Sequence, residues 1–193
     1  MTVRFGLSMW TQATTWAEIL ETAQRCDDVG FDHVWVYDHL LGIVGDPQLS
    51  NFEGWTTLAA IAATTSRARL GLLVASNTYR NPGLVAKMAT TLDHISGGRA
   101  ILGIGAGWAE REHRAYGFSF GTGFGQRLDW LDEAVGVMRR LLDGETVTSP
   151  PDARYAFDGL RLSPTPIQAH LPIMIGGAGE QKTLRTVARY ADQ

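Results

Sequence analysis

Short apolar runs alternate with longer stretches in which apolar residues recur every three or four positions. Runs of the first kind are typical of buried strands, and stretches of the second kind are typical of amphipathic helices. The pattern therefore predicts five successive strand–helix units. The predicted strands lie within residues 3–10, 34–37, 70–75, 100–104 and 173–175, and the predicted helices follow residue 15 and cover 55–63, 82–96, 128–142 and 183–188.

Capping residues support the predicted helix boundaries. Thr15, followed three residues later by Glu18, has the form of a capping box, and Gly30 stands where a left-handed helix terminator is expected. Asn81 and Pro82 are a favourable N-cap and first-turn pair. The first helix and the helix after the third strand are thus defined by local chemistry as well as by periodicity.

Residues 145–172 interrupt the repeating pattern. This stretch contains five of the seven prolines and alternates apolar with polar residues around 155–162. These features predict an inserted loop with a small hairpin. The length is that of one ordinary domain, so residues 1–193 are interpreted as a single domain that includes this insertion.

Continuously apolar strands alternating with helices predict an α/β fold with a parallel sheet covered by helices. Two architectures satisfy this pattern, a (β/α) barrel of the TIM type and an open doubly wound sheet. A complete barrel needs about 250 residues, so as a barrel the chain holds about five of eight units and leaves two strand edges unpaired. The first strand is not followed by a spaced glycine fingerprint, which disfavours the doubly wound dinucleotide-binding alternative.

Composition narrows the classes of partner. Apolar residues make up 45% of the chain, and the net charge of −3 arises from acidic and basic residues scattered without runs. These values are typical of an ordinary globular domain that binds neither nucleic acid nor a membrane surface. Cys26 is the single cysteine, and no apolar run approaches the ~18 residues of a membrane span. A cytoplasmic protein is therefore predicted.

Polar and glycine-rich segments follow four of the predicted strands. They are Asp38-His39 and the segments 76–78, 103–110 and 176–179. In a parallel α/β protein these strand ends share one rim, where active sites of such folds are found. Four segments that converge on one rim favour a binding site there more strongly than any single motif does.

Three of these segments also have a purely structural interpretation. The glycines at 176–179 suit a phosphate at a helix N-terminus, or a tight connection between strand and helix. Those at 103–107 precede a loop more than a helix and suit close packing or a ligand. Asp38-His39 offers a carboxylate beside a group that exchanges protons near neutral pH, although such a pair is more often structural.

Other kinds of chemistry have no candidate in the sequence. The histidines have no metal-ligand spacing, so no metal is predicted, and Cys26 falls on the apolar face of the first helix, where a core position is expected. Among the tryptophans, Trp108 is distinguished by following a strand within a glycine-rich rim segment.

Several motifs together resemble one known family. Tyr-Asp-His-Leu at 37–40 is followed by Thr-Tyr-Arg-Asn-Pro at 78–82, by Leu-Asp-His-Ile-Ser-Gly-Gly-Arg at 92–99, and by Gly-Ile-Gly-Ala-Gly-Trp at 103–108. The combination is similar to luciferase-like monooxygenases, in the branch that uses the deazaflavin coenzyme F-420. The resemblance covers essentially the whole chain.

The resemblance implies a site at the strand ends. His39 and Asp38 match catalytic positions near the reactive ring carbon, with His39 as proton donor or acceptor. A bulge in the third strand, at Leu73-Val74, would support the face of the ring. The implied cofactor-binding residues are Asp38, Leu73, Val74, Ser76, Thr78, Trp108, Ala109, Gly176, Gly177, Ala178 and Gly179.

The activity so implied is hydride transfer between coenzyme F-420 and a small organic substrate. One alternative is an FMN-dependent monooxygenase of the same fold. An alternative of another class is a non-catalytic, C-terminally truncated fragment that needs a partner chain, since residues 190–193 resemble the start of a sixth strand. Unpaired edges favour association, so a homo-oligomer is expected. Ala109 stands where many members of the family have asparagine, so the resemblance implies the loss of one polar contact with the cofactor.

Overall fold

The computed structural model describes residues 3–193, in which strands and helices alternate as predicted. The strands are short and the helices run from seven to nineteen residues. In chain order the elements are β1 (Gly6–Met9), α1 (Trp16–Val29), β2 (His33–Val36), α2 (Gly54–Thr64), β3 (Arg69–Leu72), β4 (Ala75–Ser76), α3 (Pro82–Ser96), β5 (Ala100–Gly105), α4 (Glu110–Tyr116), α5 (Phe124–Leu142), β6 (Ile173–Gly176) and α6 (Lys182–Tyr190).

All strand pairs are parallel, and they follow the order of the chain. β1 pairs with β2 and β2 with β3, while β5 lies between the β3–β4 segment and β6. This order lacks the reversal that defines a doubly wound sheet. Within residues 3–193, β1 and β6 each pair with one named strand, so the sheet is not closed. The predicted barrel-type α/β fold is confirmed.

The third strand differs from its prediction as one run over residues 70–75. It is divided into β3 and β4 by Leu73 and Val74, which are joined by a cis peptide bond. The N–H of Leu73 still donates to the carbonyl of Val36, at 2.8 Å. The predicted bulge therefore coincides with a break between two short strands.

The core lies between the sheet and the helices. All six residues of β5 are buried, and Leu131, Val135 and Met138 present one buried face of α5. Burying side chains of this size contributes about 1.5–3 kcal/mol each to folding. Cys26 is buried in the same core, as predicted.

The predicted caps are confirmed. Thr15 and Glu18 form a reciprocal capping box at the start of α1, and Gly30 ends this helix in the left-handed conformation. The side chain of Asn81 accepts a hydrogen bond from the N–H of Gly83 at the start of α3. Local chemistry therefore fixes the helix ends that flank the strands bearing the candidate site.

Two predictions of local structure need correction. The segment after β5 leads into a helix, because α4 begins at Glu110, three residues after Gly107. In the stretch 145–172, the predicted hairpin is reduced to one antiparallel bridge between Val147 and Leu160. The five prolines there have no backbone N–H to donate and have a fixed φ angle, and both properties disfavour a regular ladder of hydrogen bonds.

The last residues run beside β6. The N–H of Gln193 donates to the carbonyl of Ile173 at 3.3 Å, and the N–H of Ile175 donates to the carbonyl of Gln193 at 3.4 Å. This alternation is that of a parallel ladder. The residues after α6 therefore begin to extend the sheet, as the resemblance implied. No helix within residues 3–193 is long and apolar enough to cross a membrane.

Candidate functional site

The carboxyl ends of β2, β4 and β5 surround a cavity of about 160 Å³. The strands bring their ends together because they are parallel and in register, with Gly105 opposite Ser76. Most of the predicted site residues lie on its walls. The lining residues are Asp38, His39, Leu73, Val74, Ala75, Ser76, Tyr79, Gly105, Gly107, Trp108 and Ala109.

A second cavity, of about 370 Å³, adjoins the first. The two share Leu73, Val74, Gly105, Gly107 and Trp108 as walls. The second extends towards β6 and α6, where Gly176, Gly177 and Thr183 line it. Of the predicted glycine-loop residues, Ala178 and Gly179 line neither cavity. The loop also does not open the helix directly, because Glu180 and Gln181 separate it from α6.

Close packing explains part of the glycine pattern in β5 and β6. A Cβ on Gly103 would lie 1.9 Å from the carbonyl oxygen of Leu72, so only glycine fits there. On Gly105 and on Gly176 a Cβ would lie 2.8 and 2.9 Å from a methyl group of Val74. These two glycines therefore make room for Val74 at the boundary of the two cavities.

His39 follows β2 and is held on three sides. Its Nδ1 lies 2.9 Å from Oε2 of Glu112, and its ring meets Tyr37 and Trp108 edge-on, each with centroids 5.2 Å apart. The side-chain amide of Asn51 donates to the His39 carbonyl at 2.6 Å. The predicted proton-exchanging residue is thus fixed in position on the cavity wall.

Glu112 is the main functional candidate that the sequence analysis missed. It lies on α4 with only 1% of its surface exposed, and its carboxylate accepts hydrogen bonds from the N–H groups of Leu40 and Leu41 and from the Tyr79 hydroxyl, besides contacting His39. Burial alone raises the pKa of Glu112, but the hydrogen bonds outweigh burial and lower the pKa to about 2. Glu112 is therefore a buried carboxylate at neutral pH.

Tyr79 joins this cluster from the loop before α3. Its hydroxyl donates to Oε2 of Glu112 at 2.6 Å, and the side chain also lines the first cavity. Burial raises the pKa of Tyr79, and the neighbouring Glu112 carboxylate raises it further. The hydroxyl therefore remains a donor, and Oε2 of Glu112 is shared by Tyr79 and His39.

Asp38 forms a second buried cluster beside the first. Its carboxylate accepts from the N–H of Ser76 at 2.8 Å and from two nitrogens of Arg80, at 2.7 and 3.0 Å. Arg80 also donates to Glu53, the N-cap of α2, at 2.7 Å. Burial raises the pKa of Asp38, and Arg80 and the Ser76 N–H act in the opposite direction. From the sequence, Arg80 was recognised only as a member of the motif at residues 78–82, without a contact.

Thr78 does not line either cavity, but it connects a wall residue to α4. Its hydroxyl lies 2.9 Å from that of Ser76 and 2.6 Å from Nε2 of His113. Nδ1 of His113 donates a hydrogen bond to the carbonyl of Ala109, at 2.8 Å. Ser76 is thus fixed by a hydrogen-bond chain that ends on the backbone of the Ala109 loop.

The loop between β5 and α4 is held from behind by α5. Arg127 donates to the carbonyl of Gly107 at 3.1 Å and stacks on Phe120 at 3.7 Å. Gly107 has φ +78°, and a Cβ on it would lie 2.6 Å from the Thr78 hydroxyl. The next residue, Trp108, is 66% exposed although it touches His39. A large exposed aromatic surface on the cavity wall favours a planar ligand.

Comparison with known sequences gives consistent matches. The profile of the luciferase-like monooxygenase family matches residues 1–193. The chain is 34% identical over 154 residues to an uncharacterised protein of Mycobacterium tuberculosis, covering 76% of this chain and 50% of that protein. It is 36% identical over 176 residues to a pyrimidine monooxygenase of a Bradyrhizobium species, covering 89% and 48%.

Solved structures show the same similarity. The chain superposes with a TM-score of 0.88 and 28% identity on an F-420-dependent secondary alcohol dehydrogenase in complex with an F-420–acetone adduct, covering 100% of this chain and 57% of that one. A monooxygenase from Streptomyces bottropensis gives a TM-score of 0.81 and 26% identity, with 97% and 57% covered. The chain spans about half the length of the curated relatives it matches.

Proposed function

The chain belongs to the luciferase-like monooxygenase family, and on that premise we propose that it acts as an F-420-dependent oxidoreductase that transfers a hydride between the deazaflavin and a small organic substrate. The observation that carries the proposal is the cavity at the strand ends, where His39 and Asp38 meet the Leu73-Val74 step and Trp108. The similarity to a deazaflavin-dependent alcohol dehydrogenase supports the choice of cofactor.

The residues around the first cavity fit a flat ring. Leu73, of which 45% is exposed, and Val74 offer apolar surface at the break in the third strand. Ser76 and His39 supply polar groups at the side, and Trp108 supplies a large aromatic surface. An apolar face bordered by a few fixed polar groups is the usual character of a cofactor pocket.

The second cavity fits the polar tail of the same cofactor. The hydroxyl oxygen of Thr183 is buried and has no hydrogen-bond partner within residues 3–193. A Cβ on Gly177 would lie 2.9 Å from the Thr183 side chain, and a Cβ on Gly179 would lie 2.5 Å from it. Only glycine therefore fits at these two positions, and the backbone there is open to a ligand. An orphaned hydroxyl in the first turn of α6, beside the glycine-rich loop, suits a phosphate oxygen. On this basis we assign the predicted tail-binding role to Gly176, Gly177 and Gly179, and the role predicted for Ala178 rests on its place between them in the same loop.

In this reaction His39 accepts or donates the proton that accompanies hydride transfer. When bound, the deazaflavin supplies the ring carbon that accepts or gives up the hydride. A substrate hydroxyl loses a proton as its carbon loses the hydride, and a carbonyl gains one in the reverse direction. His39 lies on the cavity wall, and an imidazole can act as a general acid or base, so His39 takes up or returns this proton. Asp38, whose oxygens are occupied by three donors, holds Ser76 and Arg80 beside it.

A second candidate function is an FMN-dependent monooxygenase. The observation that favours it is the sequence identity of more than 30% to pyrimidine monooxygenases from several bacteria. The same walls accommodate a flavin ring, because the apolar face and the aromatic surface do not depend on the atom that distinguishes a flavin from a deazaflavin.

Two turnover assays, one without oxygen and one with it, distinguish the two candidate functions. The purified chain is mixed with oxidised F-420 and a panel of small alcohols, and the deazaflavin absorbance is followed; a parallel reaction contains reduced FMN and oxygen. We expect alcohol-dependent loss of the F-420 absorbance that His39→Ala abolishes. The matched control is His170→Ala, because His170 is exposed and precedes β6 at the opposite end of the sheet. Oxygen-dependent product formation in the reaction with reduced FMN, together with no turnover in the reaction with F-420, would contradict the proposal.

A further inference from the structure

We infer that Glu112 is the positioning residue of the site: it fixes His39 as the tautomer protonated on Nδ1 and so presents Nε2 to the cavity. The inference rests on the proposed proton exchange by His39. It adds that Nε2 is the nitrogen that exchanges the proton and that Glu112 determines this choice. The pair joins the strand end after β2 to α4, across 73 residues of sequence.

The partners of Glu112 define its state. The N–H groups of Leu40 and Leu41 lie 2.7 and 2.8 Å from Oε1, and a backbone N–H can only donate. The Tyr79 hydroxyl lies 2.6 Å from Oε2. A group that receives three donors in addition to His39, and that is almost fully buried, is held as a carboxylate, in agreement with its pKa of about 2.

The state of Glu112 decides the state of His39. A carboxylate only accepts hydrogen bonds, so Nδ1 of His39 at 2.9 Å must carry the proton. In the neutral ring Nε2 is then the unprotonated nitrogen, and it has no hydrogen-bond partner in the described part of the protein. The imidazole is therefore prepared to receive a proton on Nε2 and to return it from there.

The ring is also fixed in direction. Glu112 lies behind His39 and does not line the cavity, whereas His39 does. Edge-on contacts with Tyr37 and Trp108 restrict rotation of the ring out of its plane. The edge opposite Glu112, which carries Nε2, consequently faces the cavity. Pairing of a carboxylate with the far nitrogen of a catalytic imidazole is a general way to hold tautomer and orientation together.

A purely structural role of Glu112 predicts something different. Glu112 also anchors the backbone at Leu40 and Leu41, so its loss lowers stability under either view. Asp27 offers a matched control, because it is a buried carboxylate that accepts from the backbone N–H groups of Ser66, Arg67 and Ala68, on a segment that lines neither cavity. Asp27→Asn removes a comparable structural anchor and leaves His39 untouched.

The test is the tautomer of His39, measured by ¹⁵N–¹H NMR on the histidine-labelled chain without cofactor at neutral pH. We expect the parent and Asp27→Asn to show Nδ1–H. In Glu112→Gln the amide oxygen stays with Leu40 and Leu41, and the NH₂ group replaces Oε2 and donates to Nδ1, so the proton moves to Nε2. A parent spectrum showing Nε2–H, or an unchanged tautomer in folded Glu112→Gln, overturns the inference.

Two further readouts keep the test decisive. If Glu112→Gln does not fold, the parent spectrum alone decides, because the inference requires Nδ1–H there. In the F-420-loaded protein, Glu112→Gln should lower kcat about 10³-fold or more with little change in KM, since the wrong tautomer impairs proton transfer and leaves binding intact. Absence of turnover in the parent would refute the proposed function, whereas the tautomer measurement would stand independently.

Discussion

The guanidinium of Arg80 contacts both carboxylate oxygens of Asp38, at 2.7 and 3.0 Å, in an almost fully buried position. The contact links a residue that lies two positions after the end of β2 with the loop that enters α3. It also gives Arg80, a member of the motif at residues 78–82, a physical function. The polar side of the site therefore depends on the buried ion pair of Asp38 and Arg80.

Removing one charge of this pair should cost more than removing both. Arg80→Met leaves the Asp38 carboxylate buried without its partner, and such losses cost about 3–5 kcal/mol of stability. We expect Arg80→Met to lower the free energy of unfolding by this amount and Asp38→Asn/Arg80→Met to recover part of it. Urea unfolding of the parent, both single variants and the double variant measures the coupling. Simple additivity of the two single effects would contradict this account.

The conformation of Gly107 should matter for binding as well as for stability. Gly107 and Gly117 have similar positive φ angles, +78° and +72°, so alanine strains the backbone equally at both. Only at Gly107 does the added Cβ clash, with the hydroxyls of Thr78 and Ser76, because nothing lies within 4 Å at Gly117. We expect Gly107→Ala to abolish cofactor binding and Gly117→Ala to cost about 1 kcal/mol with binding unchanged.

Fluorescence titration and thermal unfolding of the two variants provide the comparison. Equal losses of binding in Gly107→Ala and Gly117→Ala would show that backbone strain alone, rather than the clash at the cavity wall, is responsible.

Glu112 should make stability depend on pH in the acidic range. Its pKa of about 2 in the folded protein lies below the ordinary value of 4.5, so the unfolded chain binds the proton more readily. The stabilisation is complete above about pH 4.5 and is lost as the pH falls through about 2; its size is on the order of 3 kcal/mol. Denaturant unfolding between pH 6 and pH 2 should show a shallower pH dependence for Glu112→Gln than for the parent. Parallel curves would argue against a depressed pKa.

Trp108 should contribute to binding and little to folding. Because 66% of the side chain is exposed, Trp108→Ala should change the free energy of unfolding by no more than about 0.5 kcal/mol. Loss of the aromatic wall should weaken F-420 binding about tenfold, since aromatic contacts are worth about 0.5–1.5 kcal/mol beyond burial. Trp16→Ala, at an exposed position of α1, is the control. Equal affinity in Trp108→Ala and the parent would remove Trp108 from the site.

The parts of the fold that depend on local sequence could be predicted. The capping box of Thr15 and Glu18 and the Asn81-Pro82 start of α3 act within a few residues, and the apolar strands follow from burial on both faces. α4 was not predicted, since seven mostly polar residues are too few to show a helical repeat. The break at Leu73-Val74 lies in an uninterrupted apolar run, so periodicity did not indicate it and only the family resemblance did.

Sequence could predict only those residues of the candidate site that stand next to strand ends. Asp38, His39 and Trp108 are recognisable because parallel strands bring their carboxyl ends together. Glu112 and Arg80 are not, because their partners lie 73 and 42 residues away. A local pattern carries no signal of such pairs; a buried acid on a short helix becomes meaningful only when the tertiary contacts are known.

The most direct test of the account is an equilibrium titration of the purified chain with oxidised F-420 and, separately, with FMN, followed by ligand fluorescence on samples confirmed to be folded. We expect saturable binding of F-420 that is tighter than binding of FMN and that Gly177→Asp weakens, because a carboxylate in the glycine turn repels the cofactor tail. A folded sample that binds neither ligand, or that binds FMN more tightly than F-420, would contradict it.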